Sequence, residues 1–79
     1  MTDEGLQPVQ VRCYSGHTYA ERPSSFILDS IEQTVRIIEK EWREPGEKRF
    51  RVRTEDDRIF NLRYNEQKDN WSAVEIIGG

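Results

Sequence analysis

Two runs in the second half of the chain alternate strictly between apolar and polar residues. Phe50, Val52 and Thr54 are interleaved with Arg49, Arg51 and Arg53, and Phe60, Leu62 and Tyr64 with Asn61 and Arg63. Successive side chains of a strand point to opposite faces, so a period of two that sorts apolar from charged residues predicts two half-buried strands. Parity fixes their register. For both apolar sets to share one face, Val52 must stand opposite Phe60 and Phe50 opposite Leu62. That pairing closes a loop over Glu55, Asp56 and Asp57, commonly a type I turn followed by a residue in the left-handed region. Asp57 takes that position, which aspartate tolerates better than most residues.

The same pattern extends in both directions. Residues 1–8 read as a flexible N-terminal tail. Val9, Val11 and Cys13 alternate with Gln10 and Arg12 and predict a strand ending near Tyr14. Residues 15–24 contain Gly16, Pro23 and His17 and read as a loop. Phe26-Ile27-Leu28 is a short apolar strand followed by an Asp29-Ser30 turn. Pro45-Gly46 is a turn signal, Asn65 to Asn70 a polar loop, and Trp71 to Ile77 a last strand of undetermined parity. Residues 31–44 admit two readings. Ser30-Ile31-Glu32-Gln33 fits a capping box, and Ile31, Val35, Ile38 and Trp42 recur at helical spacing. Thr34-Val35-Arg36-Ile37-Ile38, by contrast, is rich in β-branched residues that suit strands. A bulge near Ile38 would let Val35 with Ile37, and then Ile38 with Trp42, share the buried face.

A chain of 79 residues buries only about 60% of the surface its unfolded form exposes, so one thin core in a single domain, residues 9–77, is expected. Eight aromatic residues (three Phe, three Tyr, two Trp) supply that core, and Trp42 and Trp71 are expected to dominate it. The net charge of −3 gives no whole-chain reason to expect nucleic acid or an anionic membrane. One cysteine, Cys13, cannot form a disulfide within the chain. The acidic start, Met1 to Gly5, has neither the basic nor the apolar segment of a signal peptide. No apolar run reaches the ~20 residues of a membrane helix. A cytoplasmic location, with no membrane association, is expected.

Arg22-Pro23-x-x-Phe26, Val35, Trp42-Arg43-Glu44, Phe50-Arg51-Val52, Leu62 and Trp71 together resemble an uncharacterised family of small bacterial domains. Its members occur alone or appended to proteins related to Y-family DNA polymerases. The resemblance spans residues 9–77 and rests on core aromatics and turns, so it speaks to fold rather than to catalytic residues. Ser30 and Asp57 stand where the family pattern has glycine. The resemblance implies a small antiparallel barrel and favours strand for residues 31–44. The expected architecture is therefore all-β, a small SH3-like antiparallel barrel or curled sheet of five or six strands. The alternative is an α+β fold with residues 31–44 helical.

No catalytic constellation stands out. Nucleophilic catalysis needs a nucleophile beside a base, and the only histidine, His17, lies in a predicted loop while Cys13 lies on a predicted inward face. Two Cys and His side chains fall short of the four ligands of a structural zinc site. Asp56 and Asp57 lack calcium-loop spacing. No enzyme activity, cofactor or metal is expected.

Two surfaces remain. Arg49, Arg51 and Arg53 project from one strand, and Asn61 and Arg63 from its neighbour on the same face. Spaced ~6.6 Å apart along a strand, such cations match the phosphates of an extended single strand, the pattern by which small barrels hold single-stranded nucleic acid. The structural alternative is a solvated face. With Pro45, Gly46 and Glu47 as the hairpin loop, Glu41 faces Arg51 and Glu39 faces Arg53, while Arg43 faces Arg49. The second surface is the loop of residues 14–22, where Tyr14, His17, Tyr19 and Arg22 could form a protein-binding shelf; in the alternative, one tyrosine merely caps the barrel end. The function expected first is that of a non-enzymatic accessory module binding another protein through this loop. The second expectation is weak single-stranded nucleic-acid binding through Arg49, Arg51, Arg53, Arg63 and Asn61.

Overall fold

The computed structural model describes residues 7–13 and 22–77. Six strands follow one another as β1 (Gln7–Cys13), β2 (Pro23–Leu28), β3 (Ile31–Glu44), β4 (Glu47–Thr54), β5 (Ile59–Asn65) and β6 (Asn70–Ile76). Each pairs with its successor, and β1 pairs with β6, giving a closed antiparallel barrel. An even number of strands lets the closing seam be antiparallel as well. The described residues contain no helix, so the helical reading of residues 31–44 is excluded. They form one 14-residue strand that pairs with β2 over residues 31–34 and with β4 from Val35 onward. The β-branched run prevails because this strand has partners on both sides, which the capping box at Ser30 cannot match.

The turns follow from local chemistry. Asp29 and Ser30 have φ of 51° and 67° between Leu28 and Ile31, the two left-handed residues of a type I′ hairpin. Asp57 has φ of 66°, its N–H donates to the Thr54 carbonyl, and the Thr54 N–H donates to the Arg58 carbonyl. The loop and the Val52–Phe60 and Phe50–Leu62 register are those the alternation requires. Ser30 and Asp57 thus adopt the left-handed conformation without being glycine. Pro45 and Gly46, the latter at φ 75°, fill the two central positions of a type II turn. Strand β1 begins at Gln7, two residues before the alternation marks it.

The core holds Phe26, Val35, Phe50, Val52, Phe60, Leu62 and Ala73, with Val9, Val11, Leu28, Ile38 and Trp71 packed against it. Phe26 meets Phe60 edge to face at 5.0 Å, the arrangement favoured by ring quadrupoles. On β6, Trp71 and Ala73 face inward, and Trp71 lies 5.0 Å from Tyr64 and 5.9 Å from Phe50. At the pole bearing the β4–β5 turn, Arg58 lies over the Phe60 ring and donates two hydrogen bonds to Glu75, at 3.0 and 2.8 Å.

Three expectations for β3 need correction. The β3–β4 turn has two loop residues, not three, so Glu44 pairs with Glu47 and Arg43 with Lys48. Ile37 is not buried: it is 48% exposed and faces Arg53. Trp42 is not a core residue and stands opposite Arg49 on the outer face. The cause is a second bulge. Register shifts between Val35 and Ile37 turn Ile37 outward; shifts between Ile38 and Lys40 then reverse the parity again. Ile38 points inward toward Val52, and Lys40 and Trp42 point outward. A single bulge would have kept Ile38 and Trp42 on one face.

Candidate nucleic-acid interface

The outer face of β3–β6 is built from cross-strand rows. One row runs Trp42, Arg49, Arg63, Ser72; the next Lys40, Arg51, Asn61, Val74; the third Ile37, Arg53, Ile59, Ile76. The barrel thus brings Arg49, Arg51, Arg53, Asn61 and Arg63 together, as the alternation expects, and adds Lys40 and Trp42. Those two were missed because the turn was read one residue too long and, with it, one bulge instead of two was expected. The signal was present: proline then glycine are the residues of positions two and three of a type II turn. A two-residue loop sets Trp42 opposite Arg49.

Most of the arginines carry carboxylate partners, and of the two pairs expected from direct opposition one, Glu39 with Arg53, forms. Glu47, on β4 itself, accepts from Arg49 Nε and a terminal nitrogen at 3.0 and 2.7 Å and lies 3.5 Å from Arg63 Nε. Arg53 Nε donates to Glu39 at 3.0 Å, because the bulge swings Glu39 onto the outer face, and Asp57 lies 3.9 Å from the same guanidinium. The expected pairing of Glu41 with Arg51 does not form. Glu41 stands opposite Phe50 on the other face and lies 3.4 Å from Lys48. Arg51 instead faces Lys40. Both are exposed, and among the described residues neither has a carboxylate within 4.0 Å. Lys40 rests its ammonium 5.3 Å from the centre of the Trp42 ring, and the indole N–H donates to Glu44 at 3.1 Å. Beside Arg51, the Asn61 Oδ1 is shut off from solvent without a hydrogen-bond partner.

Such a face presents donors, a cation pair and an indole, the parts of a binding surface. Among the described residues no three His, Cys, Asp or Glu side chains gather to hold a metal ion. Cys13 is a partly buried free thiol at the end of β1. Of the loop candidates, Arg22 is exposed just before β2, while Tyr14, His17 and Tyr19 lie outside the described residues. Comparison of the chain with protein-family models, with curated proteins and with solved structures gave no match.

Proposed function

We propose that this barrel is a non-enzymatic cytoplasmic module that binds single-stranded nucleic acid weakly through the outer face of β3–β6. The observation that carries the reading is the opposition of Lys40 and Arg51. Like charges directly across a strand pair destabilise a sheet, and these two are exposed with no carboxylate of the described residues within 4.0 Å. A polyanion laid across the face relieves that repulsion. The indole two residues along and the ~6.6 Å repeat of Arg49, Arg51 and Arg53 supply the remaining parts of a single-strand groove, cations for the backbone and a ring for a base. The resemblance to domains appended to relatives of Y-family polymerases agrees with DNA as the polymer, at the level of fold association only.

Three of the four arginines are already neutralised in part, and the chain as a whole is acidic. Affinity should therefore lie no tighter than ~10⁻⁵ M at physiological salt, the non-specific range. The test is a titration of labelled single-stranded DNA at two salt concentrations with wild type and the R49Q/R51Q/R53Q variant. Wild type should bind, lose affinity steeply with salt, and lose it altogether in the variant while the fold persists. Absence of binding even at low salt refutes the reading. Equal binding by both proteins moves the surface elsewhere, and salt-independent binding is not phosphate-driven and makes the loop of residues 14–22 the better candidate.

A further inference from the structure

The reversed parity of β3 gives Trp42 a place that its size does not explain. A tryptophan spent on the outer face contributes nothing to the core cluster, and it stands in the row next to the Lys40–Arg51 opposition, which, unlike the Arg49–Arg63 opposition in its own row, shares no carboxylate among the described residues. We propose that Trp42 is a base-stacking platform, and that Lys40 and Arg51 hold the phosphate of the nucleotide stacked on it. The inference rests on the nucleic-acid reading of this face and assigns its central residues.

The geometry supports a single nucleotide-sized unit. Lys40 and Trp42 lie two residues apart on one face of β3, so their stems are separated by ~6.6 Å. Arg51 is directly across from Lys40, within ~5.5 Å at the backbone. The two cations therefore converge on one point a nucleotide's length from the indole. In the free protein the Lys40 ammonium lies against the Trp42 ring. Lysine is a flexible point charge, and a phosphate near Arg51 draws it off the ring, which bares the indole face to the base. Glu44, the acceptor of the indole N–H, sits on the far side of Trp42 from Lys40. Its charge sets polarity: the backbone of the ligand passes on the Lys40 side. Every base has a π-face, so the unit is indifferent to sequence.

The experiment uses the W71F variant, whose only tryptophan is Trp42, titrated at low salt with oligo-dT, with an abasic oligonucleotide of the same length, and with oligoglutamate. Oligo-dT should quench Trp42 emission, whereas the abasic strand should bind about tenfold more weakly without quenching, as expected for loss of one stacked base. The W42L variant should bind oligo-dT and the abasic strand alike, and K40Q/R51Q should reduce the slope of log K against log salt by about 0.7, the release expected when one phosphate contact of a single strand is lost. Should W71F fail to fold, the quench is read as the difference between wild type and W42L. Oligo-dT binding without quenching, or with equal affinity for the abasic strand, overturns the stacking role and leaves the nucleic-acid reading standing. Oligoglutamate binding as tightly as oligo-dT makes the face a site for acidic protein and overturns both. No binding of any probe does the same.

Discussion

Replacing each tryptophan in turn by alanine separates a core residue from a surface one. Trp71 packs on Phe50 and Tyr64 and against the buried cluster. Its truncation should cost ~3–4 kcal/mol, near the lower end of the range for a large aromatic because it is only partly buried. Trp42 loses a hydrogen bond to the exposed Glu44 and a cation contact with Lys40, each ~0.5–1 kcal/mol at such a site and partly replaced by water. Its cost should be ~1 kcal/mol. At ~0.05–0.15 kcal/mol per residue a 79-residue chain has ~4–12 kcal/mol in all. The first substitution therefore removes much of the stability, and the second little. With ~4–8 °C of Tm per kcal/mol for a domain this size, W71A should lower Tm by ~12 °C or more and W42A by well under ~10 °C. Urea denaturation followed by far-ultraviolet circular dichroism reads the difference without relying on the fluorophore being removed. Equal costs, or a larger cost for W42A, would show that Trp42 packs inward and that the second bulge is wrong.

Two further outcomes follow from the turns and the barrel pole. Ser30→Gly should stabilise the barrel by up to ~1 kcal/mol, because φ of 67° strains a side-chain-bearing residue by ~1–2 kcal/mol and glycine recovers that less its greater chain entropy; a fall in Tm would mean the serine side chain holds the turn. The hydrogen bond from Arg58, with its charge, holds the Glu75 carboxyl below its ordinary pKa. A depressed folded-state pKa contributes stability that is present above the unfolded pKa and is lost as pH falls through the folded value. Glu75→Gln should thus be less stable than wild type at neutral pH, with the gap closing below about pH 4; a gap that stays constant down to pH 2 would detach the stability from this carboxylate.

The pattern of residues revealed the barrel unevenly. The β4–β5 hairpin was legible to the residue, because Phe50, Val52, Phe60 and Leu62 leave one register that buries them all. The turns at Asp29-Ser30 and Asp57 were legible as well, since polar residues that tolerate positive φ stand between apolar runs. Strand β3 was not. Its apolar residues at 31, 35, 38 and 42 fit a helix as well as a bulged strand, and whether one bulge or two is present depends on β4, a partner 10–20 residues away. Trp42 was misplaced for the same reason: size argues for burial, whereas the two extra residues at Arg36 and Glu39 decide which way it points. The basic face was visible in Arg49, Arg51, Arg53 and Arg63. Its unpaired centre was not, because Lys40 reaches Arg51 only once both the bulges and the turn length are known.

The closing seam decides how the module can be tethered. Gln7 pairs with Ala73 and Val9 with Trp71, so the chain enters β1 and leaves β6 side by side, at the pole that carries the Asp29-Ser30 and Asp57 turns. The Pro45-Gly46 tip and the Trp42–Arg49–Arg63 row lie toward the opposite pole. A barrel with this geometry can hang from a host chain by two adjacent threads, like a bead on a loop. Fusion at either thread then leaves the far pole unobstructed, and a tether there raises the effective concentration of the bead near whatever the host already holds. The weak binding proposed for the outer face would become useful under that arrangement, because the second contact is intramolecular.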